Sequence, residues 1–256
     1  MSGARPRAVT SLCLVLAGSF LLATAYTGFN PFDVLQRGGG VWTFLAEDFW
    51  PPVFAANQSV WSSILVTVAL AIAASFLGAV LAFLAAVFGS PALSPFGAAG
   101  SLIRAGATFL RNIPTLVWAF ILFSALGVGT GVGFMALWIT SFAFLTRAFI
   151  EVIDELSADN VESMRAVGAS FWQQVMQSVL PNCMEGFISW FLYCLEVNIR
   201  ASTVVGMVGG GGIGLLLFSY LKSFKYASAA GIICLVAAMV IAVDACTSYL
   251  RRKVVE

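Results

Sequence analysis

The chain has 256 residues, of which 60% are apolar and only 10% charged, with a formal net charge of +1. A soluble globular domain carries roughly 25% charged residues, so this composition excludes an ordinary soluble fold, and the near-neutral balance excludes a basic nucleic-acid surface. Histidine is absent, and with it the commonest general base and metal ligand; Cys13, Cys183, Cys194, Cys234 and Cys246 form no CxxC pair and read as small buried hydrophobes, so neither disulfide nor metal is expected.

The first apolar run covers residues 9–26, behind Arg5 and Arg7. It imitates a secretory signal, but it is long for one and no A-x-A cleavage site follows, so a retained first helix is expected. Residues 27–60 hold Gly38-Gly39-Gly40 and the stretch Phe49-Trp50-Pro51-Pro52. Aromatic residues of this kind anchor at a membrane interface; contact with an external partner is the other reading. Further apolar runs follow at 60–88, 105–126 (broken by Pro114), 132–150, 184–205 and 227–249. A helix needs about 20 apolar residues to cross a bilayer, and the run at 60–88 is long enough to tilt. The expected fold is therefore all-α and polytopic, about six transmembrane helices in a single domain over 1–256. No soluble domain or internal repeat is visible.

Basic residues near the ends set the orientation. Arg5 and Arg7 precede the first span, and Arg251, Arg252 and Lys253 follow the last. Six spans put both termini on one side, expected to be cytoplasmic, together with the loops 90–104 and 151–183. Arg37, Lys222 and Lys225 fall on the other side and weaken the bias without reversing it.

The polar loop opens with Glu151, Asp154, Glu155, Asp159 and Glu162. On one helical wheel over 161–179, Val161, Met164, Gly168, Phe171, Trp172, Val175, Met176 and Val179 gather on one side, opposite Glu162, Ser163, Ser170, Gln173, Gln174 and Gln177. Gly168 is expected to divide the segment into two short helices, since glycine costs about 1 kcal/mol relative to alanine in a helix, and Pro181 to end the second. Membrane-surface helices are rich in Lys and Arg. This segment is acidic to neutral, so a protein partner suits it better than anionic lipid.

Glu162-Ser163-Met164-Arg165-Ala166-Val167-Gly168, with Leu180-Pro181 twelve residues beyond the glycine, resembles the EAA loop of ABC importer permeases. Ser163 and Met164 stand where that motif has two alanines. The resemblance implies the type I ABC importer permease fold, with a coupling segment over 151–182 that inserts into a separate ATPase subunit. Glu162, Arg165, Ala166, Gly168, Ala169, Leu180 and Pro181 are its candidate contacts. The chain has no G-x-x-x-x-G-K-[ST] loop of its own. ATP and Mg are therefore assigned to the partner, with no cofactor in this chain.

The stretch from Asn198-Ile199-Arg200 through Ala201-Ser202-Thr203 to Gly209-Gly210-Gly211-Gly212-Ile213-Gly214 is similar to the signature of phosphonate importer permeases. It differs in the order of Ala201-Ser202 and in Gly210 for alanine. Leu110-Arg111-Asn112-Ile113-Pro114-Thr115-Leu116-Val117-Trp118 and Glu47-Asp48-Phe49-Trp50-Pro51-Pro52 resemble further stretches of that family, which also includes phosphite and hypophosphite importers. The resemblance implies a permease for a small phosphorus oxyanion in a bacterial inner membrane. It would be a homodimer served by two cytoplasmic ABC ATPases and an extracytoplasmic solute-binding protein, surrounded by membrane lipid, without nucleic acid and without chemistry on the substrate.

The candidate pathway residues are Arg111, Pro114, Glu196, Asn198, Arg200, Ser202, Thr203, Gly209, Gly210, Gly211 and Gly212. Arg200 has two readings: a partner for Glu196, four residues earlier on one helix face, or a fixed positive charge on an anion path. Arg111 either snorkels to headgroups or faces that path. The glycine-rich segment 206–214 serves either close backbone packing or a re-entrant gate buried in protein, and its length favours the gate. The rival class is an ATP-independent secondary transporter. Its coupling acids would have to be Glu185, Glu196 or Asp244, and no inverted repeat supports it.

Overall fold

A computed structural model describes residues 4–54, 57–94 and 97–255; the side chains of Arg5, Arg7 and Arg37, used above for orientation, lie outside the described ones. The described residues form helices and connecting turns, in two compact units, Met1–Pro51 and Pro52–Glu256. Among the described residues, five helices are long and apolar enough to cross a membrane, or six if one bent pair counts as a single span.

The first unit holds α1 (Ala4–Thr27) and α2 (Pro31–Glu47). Ser19, Thr24 and Thr27 each turn their hydroxyl back onto a carbonyl of α1 itself, at 2.7–2.9 Å. A helix in lipid must satisfy its polar groups internally, and α1 does so while its apolar side chains, such as Leu14 and Leu22, stay exposed within this unit. Asn30 starts α2: its side chain accepts from the Phe32 amide at 3.1 Å, Pro31 occupies the first turn, and Asp33 faces the positive end of the helix dipole.

The second unit is built on α3 (Gln58–Gly89), α6 (Thr130–Leu156) and α9 (Leu180–Val205). The 32 residues of α3 make about 48 Å of helix at 1.5 Å per residue. Ala71, Ala74, Ser75, Gly78, Ala82 and Ala86 recur every three or four residues along it and are all buried. Such a stripe of small residues lets two backbones approach closely where lipid supplies no hydrophobic drive. The approach is tightest at Gly78, where an added Cβ would stand 2.8 Å from Ser141 Cβ and 3.2 Å from the Phe142 amide nitrogen of α6.

The third apolar run is two helices, α4 (Gly97–Arg111) and α5 (Thr115–Leu126), bent by 86°. The sequence implies a break at Pro114 but not a turn this sharp. Proline disfavours helical geometry at the residue before it. The chain leaves the helix at Asn112 and Ile113, and Pro114 opens α5. After α6 come α7 (Ala158–Ala166) and α8 (Phe171–Gln174), divided at Gly168, whose φ of +82° suits glycine.

Pro181 does not end a helix as expected. Helical geometry runs from Phe171 through a π-turn at Val175–Val179 into α9, where the Leu180 amide reaches back five residues to the Val175 carbonyl. The wider turn precedes a residue that lacks an N–H and crowds the carbonyl four positions earlier. The single-wheel picture of 161–179 fails for the same reason. Gln174 and Ser178 are buried beside Val161, Val175 and Val179, while Trp172 and Met176 are exposed. A second π-turn, Gly206–Gly210, ends α9; α10 (Gly212–Lys222) and α11 (Tyr226–Val255) complete the chain. The unit thus has an α7 end, with the α3–α4 turn, and an α10 end, with the α5–α6 turn and the glycine-rich break.

Gly78→Val should overpack the α3–α6 seam, a class of change that costs about 1–3 kcal/mol. The thermal midpoint in detergent should fall by several degrees, while Gly106→Ala, where an added Cβ meets open space, should leave it unchanged or raise it.

Candidate functional site

At the centre of the second unit a single amide joins three helices. The Asn198 Nδ2 of α9 donates to Ser75 Oγ of α3 at 2.7 Å and to Ser141 Oγ of α6 at 2.6 Å. Ser141 in turn donates to the Leu137 carbonyl at 2.6 Å. All three side chains are buried. Unpaired, each would carry the cost of a polar group taken out of water; paired, they lock the helices in one register.

Beside this knot lies a recess of about 230 Å³ where the α4–α5 bend meets α6 and α9. Arg111, Pro114 and Asn198 line it, as do Thr115, which lies in the motif around Pro114 but is not among the candidate pathway residues, and Thr140 and Tyr193, which no sequence motif picks out. The Thr115 hydroxyl faces that of Thr140 at 3.4 Å, and Thr140 also bonds to carbonyls of its own helix. Arg111 ends α4, is exposed, and has no hydrogen-bond or ion-pair partner among the described residues. The missed residues had a readable signal: hydroxyls inside an apolar run need a partner or a cavity.

Arg200 is placed differently. Its guanidinium pairs with Glu196 across one turn of α9, with Glu196 largely buried and Arg200 about half exposed. Ser202 is buried and donates to the Ile199 carbonyl at 2.8 Å. Thr203 is buried, and its hydroxyl finds no partner among the described residues. These residues sit on the α10 side of the knot, outside the residues that line the recess.

The glycine-rich break is tightly enclosed. Gly209, Gly211 and Gly212 have φ of +108°, +81° and +68°, conformations open to glycine and strained for other residues. The Gly129 amide donates to the Gly209 carbonyl at 2.9 Å, and the Ile213 amide donates to Thr67 Oγ1 at 2.8 Å. A Cβ on Gly210 would stand 3.0 Å from Gly133 Cα of α6, and one on Gly209 2.9 Å from the Phe123 ring of α5. The irregular backbone is thus walled in by protein, as it must be wherever such backbone lies within a membrane, and the Ile213 amide is already taken.

At the α7 end, Val161, Val175 and Val179 join Leu93, Ile150, Ile153 and Cys183 in one buried cluster. The outer surface carries the motif. Glu162, Arg165, Ala166, Gly168 and Pro181 are exposed, Ala169 and Leu180 partly so. The wheel put Gly168 on a buried apolar side; it is exposed instead, with open space around an added Cβ. Val167, Trp172 and Met176 are also left facing outward, with Val167 83% exposed.

A polytopic helical bundle with an outward-facing motif at one end and an enclosed break at the other has the architecture of an ABC importer membrane subunit. It resembles a chain of the inward-facing MetNI methionine ABC transporter with a TM-score of 0.65 at 20% identity, over 77% of this chain and 96% of that one. Residues 78–256 match the model of the binding-protein-dependent transport system inner membrane component, and the chain belongs to that family. Among curated relatives, the phosphite transport system permease PtxC of Stutzerimonas stutzeri is 35% identical over 93% of this chain and 86% of its own length. The phosphate-import permease PhnE of Mycolicibacterium smegmatis is 30% identical over 94% of this chain. The chain spans only 45% of that longer protein.

Arg200→Gln alone should strand the Glu196 carboxylate and lower the monodisperse fraction recovered in detergent several-fold. The double change Glu196→Gln with Arg200→Gln should restore most of it.

Proposed function

We propose that this chain is the membrane-spanning subunit of an ATP-driven importer for a small phosphorus oxyanion: phosphite, a phosphonate or hypophosphite. The observation that carries the substrate class is the 35% identity, along nearly the whole chain, to a phosphite permease. The unpartnered Arg111 beside a polar recess supports it, because a permanently charged guanidinium offers an oxyanion several donors at once. Thr115, Thr140 and Tyr193 supply hydroxyls around the same space, and Pro114 holds the bend that brings Arg111 there.

Two copies would enclose the pathway between them, with the recess of each opening toward the common axis. The segment 151–182 would dock in the ATPase through Glu162, Arg165, Ala166, Gly168 and Ala169, with Leu180 and Pro181 carrying its movement into α9. Exposed Val167, Trp172 and Met176 support a protein occupant there. ATP and Mg belong to that partner. An extracytoplasmic binding protein would deliver substrate at the α10 end, and the enclosed segment 206–214 would form the floor of that entrance. Arg200, Ser202 and Thr203 would line the approach to it. The α7 end then faces the cytoplasm of an inner-membrane protein with both termini inside; Arg251, Arg252 and Lys253 at the far end of α11 agree with this.

Arg111→Gln should lower phosphite import by at least tenfold in complexes that assemble and hydrolyse ATP normally, and Arg111→Lys should keep part of it. Import at the wild-type rate by Arg111→Gln would remove the recess from the pathway.

A further inference from the structure

The coupling segment must act on something inside the permease, and the hydrogen bonds around the α3–α4 turn single out the receiver. Residues 90–94 are held from two sides. From α6, the Asp154 carboxylate accepts from the Ser90 hydroxyl and, at 3.3 Å, from the Ala92 amide. From α7, the Arg165 guanidinium donates to the Ala92 carbonyl at 3.1 Å and to the Leu93 carbonyl at 3.4 Å. Leu93 between them is 1% exposed, and Phe88 just before the turn stacks on Phe171 of α8 at 5.8 Å. The turn is therefore tied to both halves of the coupling segment by polar and ring contacts.

The last residues of α3, which lead directly into this turn, are tied to α4. Arg104 donates to the Gly89 carbonyl. Gly100 lies so close that an added Cβ would stand 3.2 Å from the Phe88 carbonyl oxygen, and one on Gly89 would stand 3.2 Å from Ile103. The far end of α4 is Arg111, at the recess.

We propose that the turn at 90–94, gripped by Asp154 and Arg165, relays displacement of the coupling segment into α4 and so moves Arg111 relative to the recess. This rests on the importer reading and goes beyond it by assigning Asp154, Ser90 and Arg104 as positioning residues. The motion need not travel only up α9. A shift of α7 pulls on two carbonyls of the turn while Asp154 holds its other edge on α6. Because α4 is bent by 86° from α5 at Pro114, the arm can turn about that bend by sliding along α6, against which it packs, without unpacking α5. The cation at its tip then approaches or leaves the recess.

The test uses the assembled complex of permease, ATPase and binding protein in proteoliposomes, with radiolabelled phosphite as probe. Asp154→Asn and Ser90→Ala are compared with the unaltered chain, each also carrying Gly106→Cys on α4, an exposed site with open space around it, in a background without the native cysteines. Both changes should leave ATP turnover within about twofold while import per ATP falls about tenfold. The thiol at position 106 should change its labelling rate on binding a non-hydrolysable ATP analogue in the unaltered chain and not in the variants. Labelling in the variants that responds as in the unaltered chain, or import per ATP at its level, would overturn the relay. So would failure of both variants to assemble, since the contacts would then serve only the fold. If the unaltered complex itself imports no phosphite, the substrate reading fails, while the labelling response still decides the relay.

Discussion

The fold turns on one amide. In a membrane interior, hydrophobic burial does little to bring helices together, and contacts between them come from close packing and hydrogen bonds. Asn198 donates to Ser75 and Ser141 at a point where α3, α6 and α9 meet. Interhelical bonds in membranes are worth on the order of 0.6–2 kcal/mol each, which is modest. Their larger effect is on register. A shift of one residue on any of the three helices would carry its polar group into apolar surroundings, where leaving it unpaired costs more than the bond contributes. The small-residue stripe of α3 can pack against α6 because this register holds.

Two kinds of structure hang on that fixed centre. Toward α10 the chain is closed up: Gly133 meets Gly210, Gly206 meets Gly211 and Gly214, and Thr67 caps the Ile213 amide. Little room is left for independent movement of the break. Toward α7 a buried apolar cluster around Leu93, Ile153 and Val161 is joined by polar ties between separate elements, while Glu162, Ala166 and Gly168 of the motif stay exposed. The recess sits between these regions, beside the Asn198 knot and at the tip of a bent arm. On the proposed reading, this frame with Arg111 at the end of a bent arm is suited to presenting an anion site at one stage of a cycle and withdrawing it at another.

Much of this was legible in the sequence, unevenly. The spans could be read because length and apolarity alone define them, and the family because motif residues such as Glu162, Gly168, Leu180 and Pro181 keep its spacing. The side chains around that motif were misjudged. A wheel assumes one unbroken helix, and the break at Gly168 with the π-turn before Pro181 leaves Gln174 and Ser178 buried and Trp172 exposed. The 86° bend at Pro114 could not be read either, since a proline shows that a helix is interrupted but not by what angle. Ser75, Ser141 and Thr140 passed as ordinary members of apolar runs. The Glu196–Arg200 spacing was readable as a pair, and the pair forms. The role of Asp154 was hidden because its partners, Ser90 and the Ala92 amide, lie more than sixty residues away.

The central claim is that ATP hydrolysed by a partner drives an anion through this chain. The most direct measurement is phosphite uptake into proteoliposomes that contain the chain with its ATPase, binding protein supplied outside and ATP either enclosed or omitted, after ionophores have collapsed all ion gradients. Uptake should require the ATPase, the binding protein and the enclosed ATP together, and should survive the ionophores. Uptake by the chain alone, without ATP and abolished by the ionophores, would contradict the account and make the protein a secondary transporter.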